Sequence, residues 1–200
     1  LINEHPDCYL QTHLSENKEE IALAKKLYPD CNNYTSIYQR YNLLGPNSLF
    51  GHCIHLSEKE MAIMSETKSV AVFCPTSNLF LGSGLFNLQN FLKQKPNVRI
   101  AVGTDIGGGT DYSMLKTMDE AYKILQLQRQ RFSPIESFYQ ITLGNAQALS
   151  LENKIGTFGI ESDADITVLD AKATSAMKIR MDTVKNIGEE LFVLQTMSDD

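Results

Sequence analysis

The sequence holds no apolar run approaching the roughly 18 residues that a membrane-spanning helix needs, so no segment is expected to cross a bilayer. It has no basic start followed by an apolar stretch, and therefore no visible secretory signal. Lysine and arginine do not cluster: 18 of them stand against 24 acidic residues, for a net charge of −6. A nucleic-acid or polyanion partner would want a basic face, and this pattern argues against one. No Cys-x-x-Cys pair occurs among the four cysteines, Cys8, Cys31, Cys53 and Cys74. Three of them sit in or beside apolar runs, where a reduced cysteine packs as a small hydrophobe. Free thiols in a reducing, cytoplasmic compartment are the expectation. No methionine opens the chain, which starts inside ordinary structured sequence, and a cut start is expected rather than a native terminus. Internal repeats and low-complexity tracts are also missing.

What is present is an alternation. Strand-like runs cover about Cys8 to Thr12, Ser48 to Cys53, Ser69 to Cys74 and Val98 to Val102. Helical patterns stand between them: Ile21, Ala24 and Tyr28 at helical spacing, Leu85 to Leu92, and a long stretch from Ser113 to Gln130. Ser57 with Glu60, and Ser133-Pro134-Ile135-Glu136, each read as a capping box opening a helix. Strand and helix at this cadence predict an α/β fold with parallel strands. The runs carry few charges, as strands covered on both faces should. Four strand–helix units make half of a (β/α)8 barrel, which needs about eight, or else a small open sheet. After Ser150 the composition changes, Gly156 and Gly159 punctuate, and Ala164 to Asp170 reads as a strand. The expected division is residues 1–155 for the barrel half and 156–200 for a partial β-sandwich.

Each strand-like run ends on polar residues suited to chemistry. His13 and Glu16 follow the first, His52 the second, Cys74-Pro75-Thr76-Ser77-Asn78 the third, and Thr104-Asp105 the fourth. In parallel α/β folds ligands bind at the carboxyl ends of strands, so His13, His52 and Asp105 are expected at one mouth. Imidazole and carboxylate are natural zinc ligands, and a carboxylate beside such a centre can move protons, a place that Glu16 fits. Plainer readings stand beside these. A histidine at a strand end is often a structural hydrogen bonder, and Glu16 reads equally as a helix-dipole partner in the first turn of its helix. Gly107, Gly108 and Gly109 after Asp105 suggest a phosphate loop, but they fit neither glycine-rich phosphate motif. His5 and His55 read as surface or local structural residues, Cys74 as packing rather than nucleophile, and Tyr112, Met114 and Met118 as helix packing.

Gln11 to Asn17, Gly51-His52-Cys53, Phe73 to Leu79 continuing to Gly84, and Val102 to Asp105 together resemble strands five to eight of the amidohydrolase superfamily. With Thr104-Asp105-Ile106-Gly107-Gly108-Gly109 before the long helix, the set resembles the guanine deaminases within it. Ala164 to Asp170 resembles the strand with which these enzymes return to a small sandwich. The cytidine-deaminase signature, His-x-Glu followed by Pro-Cys-x-x-Cys, is absent, which leaves the barrel solution.

The resemblance implies a C-terminal half only, and it carries roles onto matching residues. His13 and Asp105 would bind zinc, with iron as the alternative metal. Glu16, His52 and Asp105 would be catalytic, and His13, Glu16 and Asp105 would line the substrate, guanine. His52 would hydrogen-bond the attacking water or the substrate, Glu16 would carry a proton from that water to the purine ring, and Asp105 would accept one during attack. A homodimer is implied.

The chain departs from the family in three ways. It has no His-x-His, it ends before the sandwich would be complete, and Glu161 stands where the family often has glycine, which suggests a changed turn. Weak zinc binding, no turnover alone, and self-association through exposed strand edges are therefore expected. Two other readings stay open: an amidohydrolase acting on another aminated ring (a pterin, triazine or adenosine-type substrate), or a non-catalytic half-barrel serving oligomerisation.

Overall fold

The computed structural model describes residues 4–197. Its centre is a four-stranded parallel sheet in the order β1-β2-β3-β4: β1 Leu10–Leu14, β2 Ser48–His52, β3 Val70–Phe73 and β4 Arg99–Val102. Sequential order with every connection crossing over is half a turn of a barrel wall. β2 is buried at all five positions, as its apolar run predicts for a central strand. β1 alternates instead, with Gln11 and His13 on its exposed face. It also begins two residues later than its run suggests, because the ladder starts where Leu10 N–H donates to the Asn47 carbonyl. His13 therefore lies within the strand and not beyond it.

Helices α1 Lys18–Leu27, α2 Tyr34–Arg40, α3 Glu58–Thr67, α4 Pro75–Phe80 and α5 Leu88–Leu92 make the crossovers, and α6 Met114–Leu127 follows β4. The predicted capping boxes at Ser57 and Ser133 form with both reciprocal bonds, and a third occurs at Asn17 with Glu20. Between sheet and helices lies the main core, which includes Leu14, Phe50, Met64, Phe73, Phe86, Met118 and Ile124. Phe73, Phe86 and Phe91 stack in sequence with centroids 4.6 Å apart at each step. Met118 and Met114 belong to this packing, as expected, whereas Tyr112 stands exposed and does not.

After α7 Pro134–Tyr139 comes a π-helical turn, Gln140–Gly144, that runs into α8 Asn145–Ala148. Two further helices, α9 Ser175–Met181 and α10 Ile187–Met197, pack Met177, Val193 and Leu194 with Phe138 of α7. The Gln195 amide donates to the Met118 carbonyl on α6. The strand expected over Ala164–Asp170 does not form. Its alternating pattern finds no partner ladder among the described residues, and Ile166 and Val168 stand exposed, Val168 at 90%. A strand exists only as part of a ladder, and pattern alone does not supply one. Glu161 has φ +72°, the left-handed conformation that glycine favours.

Candidate active site

The ends of β1, β2 and β4 each break from extended backbone in the same way. Ser15, His52, Cys53 and Asp105 all have left-handed φ, from 50° to 68°. Non-glycine residues avoid this region, and clusters of them mark sites where side-chain aim outweighs backbone comfort. Here the bends turn His52 and Asp105 inward. Gly51, beside His13 on β2, has no side chain to crowd that ring: a Cβ there would sit 3.3 Å from His13 Cδ2.

The result is one cluster. His13 Nε2 lies 3.7 Å from Asp105 Oδ1, His52 Nε2 lies 3.6 Å from Asp105 Oδ2, and His52 Nε2 lies 3.7 Å from Glu16 Oε2. The two imidazoles meet edge to face at 4.8 Å. His13 is open to solvent, with a side chain 60% exposed, whereas His52 is 1% exposed. The structure thus gathers all four predicted residues, His13, Glu16, His52 and Asp105, at the carboxyl ends of the strands.

Their supports come from elsewhere in the chain. His52 Nδ1 lies 2.8 Å from Asn78 Oδ1 on α4. The Ser83 hydroxyl donates to Glu16 Oε1 at 2.7 Å, and the Ser83 carbonyl lies 3.0 Å from His55 Nε2. His55 is the local structural residue that the sequence suggests. Glu16 is not a helix-dipole partner: Asn17 caps α1 and Glu20 closes its box, and Glu16 is held towards Ser83 and the cluster. The glycine run is not a phosphate loop. Gly109 N–H donates to the Asp105 carbonyl, and a Cβ on Gly108 would meet Ser77 Oγ at 2.7 Å and Asp105 Oδ2 at 3.2 Å. The glycines let backbone fold tightly against Asp105. The sequence places Asn78 among the polar residues after the third run and Ser83 in the segment that resembles strand seven, but nothing in their local spacing gives either a role.

Cys74 also reaches the cluster. Its sulfur and ligand atoms of His52 and Asp105 all lie within 4.8 Å of one another. Burial pushes its thiol up to about 12, so it stays protonated at neutral pH. His52 Nε2 is buried without a hydrogen-bond partner. It faces two carboxylates at separations too long for hydrogen bonds but matching two ligands of one cation, each roughly 2.0–2.2 Å from it. Two imidazoles, two carboxylates and an orphaned ring nitrogen fit a divalent metal of zinc type.

A model of the amidohydrolase family matches residues 1–199. The chain belongs to the amidohydrolase family. This family is metal-dependent, and its fold makes the four-stranded sheet part of a TIM-like barrel. Over 200 residues the amidohydrolase chain is 50% identical to the guanine deaminase of Escherichia coli strain K12, a match that covers all of this chain and 45% of that relative. It is 39% identical over 176 residues to the guanine deaminase of Rattus norvegicus, covering 85% of this chain and 38% of that one. A solved structure of the E. coli guanine deaminase superposes with a TM-score of 0.95 at 48% identity, covering 99% of this chain and 46% of the other. The chain spans less than half the length of these relatives. Among the described residues no helix is long and apolar enough to cross a membrane.

Proposed function

We propose that this chain carries the proton-transfer residues of a guanine deaminase, which hydrolyses guanine to xanthine and ammonia. The observation that supports it best is the convergence of His13, Glu16, His52 and Asp105 in a chain half identical to a guanine deaminase. His13 and Asp105 would hold zinc, with iron as the alternative. When bound, zinc supplies Lewis acidity, which makes a water ionise near neutral pH.

The remaining chemistry belongs to side chains. Glu16, fixed through one oxygen by Ser83, presents the other towards His52 and the reacting water. It takes a proton from that water and delivers it to the purine ring. Asp105 accepts the second proton as the oxygen attacks the ring carbon bearing the amino group. His52, held by Asn78, orients the water. His13, Glu16 and Asp105 line the substrate. Asp105 passes its proton to the amino group, which leaves as ammonia when the carbon–nitrogen bond breaks, while the ring of xanthine keeps the proton from Glu16.

Residues 1–155 form the barrel portion in this reading, and 156–200 begin the return to a small sandwich. The working assembly is a homodimer in the cytoplasm, without a nucleic-acid partner.

The test joins this chain to the part of the E. coli relative that it does not cover and follows xanthine release. Glu16→Gln is expected to lower turnover by roughly 10²–10⁴-fold, the usual contribution of one acid–base group, while zinc content stays the same. Unchanged turnover in Glu16→Gln would overturn the assignment. Zinc retained with no activity on guanine, but activity on a pterin, triazine or adenosine-type ring, would keep the family and change the substrate.

A further inference from the structure

β4 is an edge strand, so the N–H and C=O groups on its outer side have no neighbouring strand among the described residues. Gly103 N–H donates inward to the Phe73 carbonyl, which leaves the groups of Val102 and Ile100 pointing outward in the alternation of a parallel ladder. Three of these groups are nevertheless satisfied. Val102 N–H donates to Asn145 Oδ1 at 2.9 Å, and Asn145 Nδ2 donates back to the Val102 carbonyl at 2.9 Å. Gln140 Nε2 donates to the Ile100 carbonyl at 3.0 Å. A primary amide presents an acceptor and a donor side by side, as a peptide of an adjacent strand does.

The π-helical turn brings this about. Its wide turn sets Gln140 and Asn145, five residues apart, on one face towards β4. Gly144 is buried between them, and a Cβ there would press on the Gln140 amide at 3.1 Å. Rare π turns often sit at functional sites, and this one grips β4 at the residue from which Gly103-Thr104-Asp105 departs.

Resting on the function proposed above, we infer that Asn145 is a positioning residue for Asp105. It stands in for a strand neighbour at Val102 and so fixes the backbone from which Asp105 turns, at φ +50°, to face His13 and His52. An edge strand held on one side only would let that turn relax, because its left-handed conformation is not the one an aspartate prefers.

The test uses this chain as it is, without metal or guanine, and reads two things: amide exchange at Val102, and the ring signals of His13 and His52 by NMR. Asn145→Leu is expected to speed exchange at Val102 by at least about tenfold, the factor equivalent to one lost hydrogen bond. It is also expected to shift both ring signals, since Asp105 moves away from them. Asn145→Asp keeps the acceptor for Val102 N–H but sets a carboxylate against the Val102 carbonyl. It should therefore retain most of the protection at Val102, still shift the rings, and serve as the second variant if the leucine fails to fold. Tyr139→Phe, which removes the exposed bond to Gln147 on the same helical segment, controls for general loosening and should leave the rings unchanged. Unaltered exchange or unmoved rings in Asn145→Leu, unmoved rings in Asn145→Asp, or an equal ring shift in Tyr139→Phe would each overturn the inference. None of these outcomes depends on whether guanine is the substrate.

Discussion

At the residue scale, the surroundings of a side chain decide what it can do more than its type does. Cys74 carries a metal-binding sulfur beside His52 and Asp105, yet burial first, then nearby carboxylates, raise it from an ordinary 9.0 to about 12. Cys53, fully enclosed, is raised as well, again chiefly by burial. A thiol in the unfolded chain releases its proton near the ordinary value. Between pH 9 and 12 the folded chain therefore holds a proton that the unfolded chain has lost, and stability falls as pH rises through that window. Urea midpoints measured from pH 8 to 11 should decline less steeply for Cys74→Ala than for the parent chain. Identical slopes would show that the thiol titrates freely. The four cluster residues were legible in the sequence because each sits at or near the carboxyl end of a strand. The supporting roles of Asn78 and Ser83 were not, because their bonds to His52 and Glu16 span 26 and 67 residues, and only the closed fold brings those ends together.

At the element scale, local rules read well until tertiary contacts are added to them. Ser57–Glu60 and Ser133–Glu136 look alike in sequence, and both boxes form. Glu136 accepts only from the exposed start of its own helix. Glu60 is buried and also takes the Thr35 N–H and hydroxyl, at 3.3 and 3.2 Å, tying α2 to α3. Losing a cap costs about 1 kcal/mol, and stranding buried donors adds roughly 1–3 kcal/mol. Glu136→Ala is therefore expected to lower stability by about 1 kcal/mol and Glu60→Ala by about 2–4 kcal/mol, measured by urea unfolding. Equal losses would mean that the bonds to Thr35 contribute nothing net. The same logic explains what the sequence hid. The π turn depends on Gln140 and Asn145 finding β4, and the strand pattern at Ala164–Asp170 stays unpaired because alternation specifies a face but not a neighbour.

At the scale of the whole molecule, the parallel sheet has two open edges. Asn145 and Gln140 cover part of the β4 edge, while β1 exposes Gln11 and His13. Phe80, Leu81, Leu85, Ile106 and Tyr112, in the segments that follow β3 and β4, are also exposed. Open edges and apolar surface favour pairing with a second surface. Sedimentation of this chain alone should show dimers or larger species, and a compact monomer would count against that. Zinc would face the same incompleteness: the proposed reading gives it His13 and Asp105, two ligands where catalytic sites hold three or more. The chain alone should therefore bind zinc more weakly than its chimera with the rest of the E. coli relative, and should release no xanthine. Competition with a zinc chelator and absorbance of xanthine measure the two effects separately. A chain that turns over guanine unaided would show that His13, His52, Glu16 and Asp105 suffice by themselves. Tighter zinc binding and xanthine release only in the chimera would show that barrel closure, through added ligands, converts a correctly placed set of proton-transfer groups into a working centre.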